Sequence, residues 1–550
     1  MTDTAHRPAP DLSGIVKAYD VRGVAGEQLT VEVARALGAA FADLLDAAPL
    51  IVAHDMRVSS PELSRAFVEG AVRRGSTVAF AGLSSTDQLY CASGLHDAAG
   101  AMFTASHNPA PDNGIKMCRP GARPIGRDTG LQEIRRGAEA YLAAGEIPER
   151  AGGSRRDVDT LEDYVDTMLR LVPIRGDRRL RVVVDAANAM GGHTVPAVVR
   201  RLPTLEIIPL YFELDGTFPN HEANPLDPTN LRDLQAAVRR EGADLGLAFD
   251  GDADRCFVVD EKGDPVSPSA VTALIATREI ARARAEGEDR PAVVANLVSS
   301  RHVQEAIEAA GGRRIRSQVG HSLIKALMAE NSAIFGGEHS AHYYFRDFFF
   351  ADSGMLAALH VLAALSETEG PLSELVAEHS PYVSSGEINS RVEDAQAARD
   401  LVRRHMETRG GVQIDDLDGM TVTHWDDAGD PEQNWWFSLR SSNTEPLLRL
   451  NVEAAQQATM ERVRDEVLAL VRGGITPSGS PAVTDAPTDR PAGVASGAPT
   501  GADLPGWARE SLRCPHCGAE LEDAAASLRC RGCDRSYDVV GGVPRLLPQD

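Results

Sequence analysis

The sequence predicts an α/β protein of several successive layers, followed by a smaller α+β unit, a flexible linker and a cysteine-rich end. Strand-like apolar runs alternate with amphipathic helical stretches, as in "RLRVVVDAAN" followed by "GGHTVPAVVRRL", and this alternation is typical of βα units. The segment after Arg472 is rich in Gly, Pro, Ser, Thr and Ala, which is typical of a linker. Four of the seven cysteines lie in the last forty residues.

Length and charge limit the classes of function. A chain of 550 residues has room for about four domains of roughly 150 residues, and 43% hydrophobic with 25% charged residues is ordinary for a folded protein. The formal charge of -24 argues against general binding to nucleic acid or to an anionic membrane. It does not exclude an anionic small-molecule substrate, because local charge governs a pocket.

The N-terminus and the cysteines indicate a location. "MTDTAHRPAP" lacks the basic start and apolar core of a signal peptide, and the longest apolar run, near "MLAALHVLAAL", is too short to span a bilayer. Cys91, Cys118 and Cys256 are scattered through the body of the chain, and scattered thiols suit a reducing compartment. We therefore expect a cytoplasmic protein.

The first element with possible chemistry is "FTASHNPAPDNGIKMC", in which Ser106 stands between an apolar run and two prolines. One interpretation is that Ser106 carries a phosphoryl group on a loop that Pro109 and Pro111 hold open. The other is that Ser106 caps a helix or a turn. The stretch alone does not separate the two interpretations.

The next element is acidic. In "LGLAFDGDADRCFVVDEKGD", Asp250, Asp252 and Asp254 occupy alternate positions between two apolar runs. Alternate side chains of an extended backbone share a face, and the small spacers Gly251 and Ala253 let the segment curve. Three carboxylates could then converge on a hard cation such as Mg²⁺. A solvated acidic turn is the alternative.

An EF-hand loop is a further interpretation, because Glu261 falls at its last ligand position. Arg255 occupies the position where that loop needs Gly, and the flanks "GLAF" and "CFVV" resemble strands rather than helices. Three carboxylates with one Mg²⁺ leave a charge near -1. A phosphate on Ser106 would add roughly -1.5 to -2, so cations such as Arg255, Lys116 and Arg22 are then required.

Four motifs occur in a fixed order: "TASHNP", "DGDADR", "GEHSAHYY" and "RSSNTEP", supported by "KAYDVRG", "DMRVSS", "DGTFPNHEANP" and "VGHSLIK". Together they resemble the α-D-phosphohexomutase superfamily, in particular its bacterial phosphomannomutase/phosphoglucomutase branch, over residues 12–473. The resemblance implies three similar mixed α/β-sandwich domains and a smaller α+β fourth domain around a central cleft. The boundaries we expect are residues 10–156, 157–265, 266–384 and 385–473, with a disordered linker at 474–508 and a zinc-ribbon module at 509–550.

The resemblance also implies a reaction. Ser106 corresponds to the family's phosphoserine, which exchanges its phosphoryl group with a sugar monophosphate through a hexose 1,6-bisphosphate that also primes the enzyme. Asp250, Asp252 and Asp254 correspond to the Mg²⁺ ligands, with the phosphate on Ser106 supplying another oxygen. Arg22 and Lys116 correspond to cations that contact the transferring phosphate, and His107 to a residue that orients it. The general base is not identified.

Sugar and distal-phosphate contacts follow in the same way. Glu338 and Ser340 correspond to readers of the sugar hydroxyls, because one carboxylate accepts from two adjacent hydroxyls, and Arg440 offers a fork for the non-reacting phosphate. In isolation the two stretches could equally be an ordinary charged loop and a polar turn before Pro446. The substrate-binding residues we expect are Tyr19, Arg255, His321, Glu338, Ser340, His342, Arg440, Ser442, Asn443 and Thr444.

Substrate preference and motion are weighed within the resemblance. The phosphoglucosamine mutase branch usually has Gly where this chain has Asn443, which favours mannose phosphate first and glucose phosphate second. Gln318 and Ala341 depart from residues common in relatives, namely Lys and Gly. Closure of the fourth domain, with a hinge near residues 380–390, is expected to exclude water.

The C-terminal cysteines form two close pairs, Cys514 with Cys517 and Cys530 with Cys533, separated by twelve residues. This pattern predicts a four-cysteine zinc ribbon, with disulfides as the alternative. The module resembles short bacterial zinc ribbons related to activators of RNA and protein methyltransferases, and it lacks the basic footprint of a nucleic-acid binder. We expect a protein-docking or structural role. A scaffold with a degenerate mutase body is the second functional class.

Overall fold

The computed structural model describes residues 11–426, 429–441 and 447–473 and, towards the C-terminus, residues 513–514, 517, 519–524, 527–533, 535–540 and 543–544. These residues fall into two units, which divide between Ile475 and Thr476. The first unit carries four sheets in succession along the chain, and the second carries one.

The first sheet is mixed, with strands at β1 (Val21–Val24), β2 (Leu50–His54), β3 (Thr77–Leu83), β4 (Ala99–Phe103), β5 (Asp112–Arg119), β6 (Arg123–Pro124) and β7 (Ser154–Asp157). Its helices are α1 (Val31–Leu44), α2 (Ser60–Arg73), α3 (Thr86–His96) and α4 (Leu131–Ala144). The strand order is β1-β5-β4-β2-β3-β7, with β6 beside β5. Strands β2 and β4 are parallel and wholly buried, as continuous apolar runs predict. Strand β5 then runs antiparallel to β4.

The second and third sheets repeat one plan, in which parallel strands are followed by antiparallel ones. The second contains α5 (Leu161–Leu171), β8 (Leu180–Asp185), α6 (Gly191–Val199), β9 (Leu205–Leu210), α7 (Arg232–Glu241), β10 (Leu245–Phe249), β11 (Cys256–Asp260) and β12 (Pro265–Val266). The third contains α8 (Pro268–Ala285), β13 (Ala292–Asn296), α9 (Arg301–Ala309), β14 (Arg313–Ser317), α10 (His321–Asn331), β15 (Phe335–Gly337), β16 (Tyr343–Phe345), β17 (Ala351–Asp352), α11 (Gly354–Ser366) and α12 (Leu372–Ala377). Their orders are β12-β11-β10-β8-β9 and β14-β13-β15-β16-β17.

The fourth sheet is antiparallel throughout, in the order β18-β22-β21-β20-β19. Its elements are β18 (Val383–Arg391), α13 (Ala395–Glu407), β19 (Gln413–Asp415), β20 (Met420–His424), β21 (Trp435–Ser441), β22 (Leu447–Ala454) and α14 (Gln457–Arg472). In strand β21, the alternate residues Trp435, Phe437 and Leu439 face the core of this sheet. This is the smaller α+β unit that the sequence predicts.

One hydrophobic core runs through the second and third sheets and also takes in Tyr90, Cys91 and Cys118 of the first. Most of the first sheet and the whole of the fourth pack around cores of their own. Helix α11, which contains the longest apolar run of the sequence, is buried over its whole length inside the shared core. Among the described residues, no helix is both long and apolar enough to cross a membrane.

The same kind of hairpin recurs in all four sheets. The register pairs Phe103 with Ile115 in the first sheet, Phe249 with Cys256 in the second, Gly337 with Tyr343 in the third, and Ser441 with Leu448 in the fourth. The first three sequence motifs lie in the turn between such a pair of antiparallel strands, and the fourth motif begins at Arg440, near the end of β21. The fold therefore presents Ser106, the three aspartates and Glu338 on equivalent loops.

The second unit is a small antiparallel sheet of β23 (Leu521–Ala524), β24 (Ser527–Cys530), β25 (Ser536–Val540) and β26 (Val543–Pro544). The predicted linker at residues 474–508 lies outside the described residues. The three mixed α/β units and the antiparallel fourth confirm the predicted fold class. The exact domain boundaries stay a prediction.

Candidate active site

The serine loop follows β4. Ser106 has a positive φ of 52°, a conformation that costs energy for a residue with a side chain, and its side chain is almost fully buried. Its backbone N–H donates to the Thr104 hydroxyl (2.9 Å), and its own Oγ donates to Asp250 Oδ2 (2.8 Å). The hydroxyl of the first sheet therefore meets the acidic loop of the second.

A buried arginine holds this loop. The Arg57 guanidinium donates to four backbone carbonyls, those of Ser106 (2.8 Å), Asn108 (2.7 Å), Pro109 (2.8 Å) and Asp112 (3.0 Å). The sequence analysis attributes the shape of the loop to Pro109 and Pro111. The structure adds the side chain of Arg57, just after β2, whose four hydrogen bonds also hold the loop in place.

The acidic cluster lies in the turn between β10 and β11. Asp250, Asp252 and Asp254 are buried, and one carboxylate oxygen from each lies within 4.8 Å of the others. The backbone is a turn rather than an extended segment, because Ala253 has a φ of 60° and its N–H donates to the Asp250 carbonyl. The carboxylates converge as predicted, although the turn rather than strand alternation brings them together.

The flanks of this turn decide against the EF-hand. Strands β10 and β11 pair directly on either side of it, whereas an EF-hand loop lies between two helices. Glu261 points away to another partner, since its carboxylate accepts from the Ser373 hydroxyl (2.6 Å) and N–H (3.0 Å). The prediction that this loop is not an EF-hand is confirmed.

The donor set fits a divalent cation. Among the described residues, Oδ1 of Asp252 and Oδ1 of Asp254 are buried without a hydrogen-bond partner, and an unpaired buried carboxylate oxygen is costly. Burial and the neighbouring Asp252 hold the pKa of Asp254 well above its usual range. Burial also raises the pKa of Asp250. A divalent cation bound by these oxygens would give each of them a partner and would favour the ionised carboxylates.

Cations surround the cluster. Lys116 Nζ lies 2.7 Å from Asp252 Oδ2 and 2.6 Å from Asp254 Oδ2, and against the effect of burial this ammonium lowers the pKa of Asp252. Arg22 donates to Asp20 (2.7 Å), and its Nη1 is buried without a hydrogen-bond partner among the described residues. A buried free guanidinium nitrogen is suited to an anionic ligand.

Arg255 and His107 lie beside Asp250 and Ser106. The fully buried Arg255 pairs with Asp250 Oδ2 at 2.8 Å and also contacts His107 Nδ1. Burial, helped by the charge of Arg255, lowers the pKa of His107 to about 2. His107 Nδ1 lies 3.3 Å from Ser106 Oγ. A neutral imidazole at this distance can orient the serine oxygen.

The third sheet supplies Glu338, at the turn between β15 and β16. Its carboxylate is buried and accepts from the Tyr344 hydroxyl (2.7 Å) and the Gly320 N–H (3.2 Å). Ser340 Oγ lies 3.1 Å from His342 Nδ1, and His342 Nε2 lies 3.9 Å from Asp254 Oδ1. The structure thus brings the third motif against the acidic cluster.

Two predicted residues lie where the first and third sheets meet. A Cβ atom at Gly320 would lie 3.7 Å from the Tyr19 hydroxyl, which places Tyr19 beside the start of α10. His321 is the first residue of that helix, and its side chain is outside what the structure describes. Ala341 has a φ of 64°, a left-handed conformation that glycine adopts more readily than alanine.

The fourth sheet contributes Arg440, near the end of β21. Its guanidinium lies 3.6 Å from Glu387 and 3.8 Å from Asp418, and Nε is buried without a hydrogen-bond partner among the described residues. Asp418 in turn accepts from the Val319 N–H (2.9 Å), so this part of the fourth sheet touches the loop before α10. Ser442, Asn443 and Thr444 lie outside the described residues.

The sequence analysis missed several buried polar groups of the site. Arg57 is one, and its position in "DMRVSS" at the end of a strand is a signal that could have been followed. Thr86 is another, because its hydroxyl donates to Asp252 Oδ2 (2.5 Å). Lys325 pairs with Asp352 (2.7 Å), and an Asp352 oxygen is within 4.8 Å of Asp254 and His342 ligand atoms. Only the fold brings these pairs together.

The C-terminal cysteines form a second cluster. The sulfurs of Cys514, Cys517, Cys530 and Cys533 lie within 4.8 Å of one another, with separations of 3.6 Å (Cys514–Cys533) and 3.4 Å (Cys517–Cys530). These distances exceed the about 2.05 Å of a disulfide. They approach the about 3.8 Å between two sulfurs that ligate one tetrahedral zinc ion at about 2.3 Å. The donor set therefore fits zinc.

Comparison with known proteins gives four family matches along the chain. The phosphoglucomutase/phosphomannomutase alpha/beta/alpha domain I matches residues 13–143, domain II matches residues 162–263, and domain III matches residues 267–382. The C-terminal domain of the same family matches residues 387–470. Together these matches span most of the first unit.

Individual relatives extend over nearly their full length. The chain is 37% identical over 461 residues to a phosphomannomutase of Salmonella typhimurium, covering 82% of this chain and 97% of the relative. It is 39% identical over 460 residues to the phosphohexose mutases of Xanthomonas campestris, covering 83% and 99%. A crystal structure of a phosphoglucomutase/phosphomannomutase family protein from Burkholderia thailandensis superposes with a TM-score of 0.72 at 29% identity, covering 84% and 98%.

Proposed function

The chain belongs to the phosphoglucomutase/phosphomannomutase family, whose members are isomerases, and we propose that it interconverts the 1- and 6-phosphates of a hexose through a phosphorylated Ser106. Mannose phosphate is the first choice of substrate and glucose phosphate the second. The observation that carries the proposal is the hydrogen bond from Ser106 Oγ to Asp250 (2.8 Å), beside two buried carboxylate oxygens that have no hydrogen-bond partner among the described residues.

The proposed transfer begins from the phosphorylated enzyme. The bond between Ser106 Oγ and phosphorus breaks as a bond forms between phosphorus and a free hydroxyl oxygen of the sugar monophosphate. The proton of that hydroxyl ends on Ser106 Oγ, which is restored as a free serine hydroxyl. The product is a hexose 1,6-bisphosphate. After this intermediate reorients, its other phosphoryl group returns to Ser106, and the sugar leaves with its remaining phosphate at the new position. The same bisphosphate, supplied at low concentration, primes the unphosphorylated enzyme.

The residues of the loop have separate tasks in this proposal. Lys116, Arg22 and Arg255 offset the negative charge that gathers on the transferring group, which is the main requirement of phosphoryl transfer. Asp250, Asp252 and Asp254 would hold Mg²⁺, together with an oxygen of the phosphate on Ser106. When bound, Mg²⁺ supplies charge neutralisation next to the transferring group. His107, held neutral by its surroundings, orients the phosphate.

Substrate contacts come from the third and fourth sheets. Glu338, Ser340 and His342 lie at the turn that meets the acidic cluster, which supports a role in reading sugar hydroxyls. Tyr19, Arg255 and His321 are proposed to join them. The residues proposed to hold the distal phosphate are Arg440, Ser442, Asn443 and Thr444, and the buried free Nε of Arg440 supports the first of these.

The test is turnover of mannose 1-phosphate by the full chain, with Mg²⁺ and catalytic glucose 1,6-bisphosphate. We expect steady conversion to the 6-phosphate, a gain of one phosphate in the intact mass, and loss of both in Ser106→Ala. Retention of the original rate by Ser106→Ala would refute the phosphoserine. Absence of turnover on any hexose phosphate would instead favour the scaffold class, in which the mutase body is inactive.

For the second unit we propose a zinc ribbon that docks a protein or stabilises the C-terminus. The support is the set of four converging cysteine sulfurs, together with a Gly532 N–H that donates to Cys530 Sγ (3.3 Å), since such bonds are made to metal-bound thiolates. Elemental analysis of the purified chain should find one zinc per molecule, and replacement of Cys514 by Ser should remove it. The buried unpaired thiols Cys91, Cys118 and Cys256 support a cytoplasmic location.

A further inference from the structure

One buried carboxylate connects three of the sheet units. Asp87, in the first turn of α3, is fully buried and accepts hydrogen bonds from three hydroxyls. The Ser85 hydroxyl donates to Oδ1 (2.5 Å), while the hydroxyls of Tyr164 (2.8 Å) and Ser353 (2.7 Å) donate to Oδ2. Tyr164 lies on α5, beneath the second sheet, and Ser353 precedes α11, after the third. Asp87 is therefore a shared acceptor at their junction.

Two of the three hydroxyls also cap a helix, and the caps depend on the orientation of the hydroxyls. Ser85 caps α3 by accepting from the Gln88 N–H (3.2 Å), and Ser353 caps α11 by accepting from the Leu356 N–H (3.1 Å). Because each hydroxyl donates to Asp87, its lone pairs stay available for the helix end. Two helix N-termini thus converge on one carboxylate, an arrangement that favours negative charge.

The residue between Ser85 and Asp87 reaches the active site. Thr86 donates its hydroxyl to Asp252 Oδ2 (2.5 Å) and its N–H to the Asp252 carbonyl (3.0 Å). These two bonds tie both the backbone and the carboxylate of Asp252 to the start of α3, and Lys116 Nζ contacts the same Oδ2 at 2.7 Å. The orientation of Oδ1, which has no hydrogen-bond partner among the described residues, therefore depends in part on the position of α3.

We propose that Asp87 is a positioning residue that, through Thr86, aims the carboxylate of Asp252 at the divalent cation. This inference rests on the proposed function, because it takes the three aspartates as the cation site. Asp87 itself touches neither the cation nor the substrate. Its effect should consequently appear in cation affinity and not in the affinity for the sugar phosphate.

The test is Mn²⁺ binding to the full chain, measured from the electron paramagnetic resonance signal of the unbound ion. Changes in residues behind a metal ligand typically weaken affinity about 10- to 100-fold. We expect about tenfold weaker binding in Thr86→Val and a smaller loss, about threefold, in Asp87→Asn and Tyr164→Phe, which act at one further remove. In turnover, the Mg²⁺ concentration for half-maximal rate should rise by the same factors while KM for the sugar phosphate stays unchanged.

A matched control separates positioning from general destabilisation. The Tyr343 hydroxyl is buried without a hydrogen-bond partner among the described residues, so Tyr343→Phe removes the same atom as Tyr164→Phe without breaking a recorded bond. Its Mn²⁺ affinity should equal that of the wild type. If Asp87→Asn does not fold, Tyr164→Phe decides the question alone.

The outcomes distinguish the two levels of proposal. A wild-type chain that binds no Mn²⁺ would overturn both the cation site and the positioning role. Normal Mn²⁺ binding in wild type and in all three variants would overturn the positioning role alone, even if their melting temperatures fall. The double variant Thr86→Val/Asp87→Asn should bind no more weakly than Thr86→Val, because Asp87 acts through Thr86; additive losses would refute that route.

Discussion

At the residue scale, the buried side chain of Arg57 shows how the shape of the serine loop depends on a single residue outside that loop. It donates to four carbonyls of the serine loop, and its Nε lies 3.3 Å from the Asp55 carboxylate. A lysine at this position has one compact ammonium in place of a planar fork. The Arg57→Lys variant would keep the positive charge but would lose the planar arrangement of donors.

We predict that Arg57→Lys lowers the free energy of unfolding by about 2–4 kcal/mol, because at least one or two buried carbonyls lose their donor. Urea denaturation of the first unit measures this loss. Phosphorylation of Ser106 by the bisphosphate should become slower in the same variant. Arg150→Lys is the matched control, since the Arg150 pair with Asp46 is exposed, and its stability should change by less than about 0.5 kcal/mol.

Asp87 gives a pH dependence whose sign can be stated. Burial raises the pKa of Asp87 to about 6 from 3.8, so between these values the folded state holds a proton that the unfolded state releases. The free energy of unfolding therefore falls as pH rises through this window, by at most about 3 kcal/mol. In Asp87→Asn this contribution is absent. Urea denaturation at pH 4, 5, 6 and 7 should therefore show that the free energy of unfolding of the wild type falls relative to that of the variant as pH rises. A constant difference between the two proteins would show that the pKa of Asp87 is not raised by folding.

At the scale of elements, the acidic turn and the serine loop approach each other so closely that Gly251 has no room for a side chain. A Cβ atom at this position would lie 2.2 Å from the Ser106 carbonyl oxygen, so any side chain pushes the acidic turn away from the serine loop. A misplacement of this size costs catalysis far more than binding.

We predict that Gly251→Ala lowers kcat about 100-fold with little change in KM. Steady-state kinetics with mannose 1-phosphate measures both constants. A Cβ at Gly410 would meet nothing within 4 Å, and Gly410→Ala should be indistinguishable from wild type. Equal activity of the two variants would mean that the loops do not need their observed separation.

The elements also show what the sequence can and cannot predict. The stretches "GLAF" and "CFVV" predict the strands on either side of the acidic turn. The local spacing of the three aspartates is enough to predict that their carboxylates converge. Arg57 and Thr86 are not predicted, because their partners Ser106 and Asp252 lie 49 and 166 residues away in the chain. Lys325 is not predicted because its partner, Asp352, lies beyond an intervening helix and two strands. Such pairs become visible only when the sheets are assembled, and no periodicity in the chain encodes them.

At the scale of the whole molecule, the contacts between the third and fourth sheets include two groups of polar contacts. The Glu453 carboxylate accepts from the Arg301 N–H at the start of α9 (2.8 Å), and Asp418 accepts from the Val319 N–H (2.9 Å). Beside the second contact, Arg316 donates to Asp415 and Gln318 donates to the Leu417 carbonyl. A boundary with such polar contacts suits domains that move relative to one another.

We predict that the fourth sheet closes over bound substrate, with φ and ψ changes concentrated near residues 380–390. Small-angle scattering of the full chain should give a smaller radius of gyration with glucose 1,6-bisphosphate than without it. Glucose without phosphate is the control, since it cannot bridge Arg440 to the serine loop. Superimposable curves with and without the bisphosphate would argue against closure.

The placement of three motifs on hairpin turns has a consequence for divergence. A turn between antiparallel strands tolerates substitutions and insertions, while the parallel strands of the same sheet keep their packing. In the proposed function, Glu338 and Ser340 read sugar hydroxyls from the third of these turns, whereas Ser106 and the three aspartates lie on the first and second. Selection could then alter which hexose is accepted by changing one loop, and grafting the third loop of a relative onto this chain is a direct way to retrace such a change.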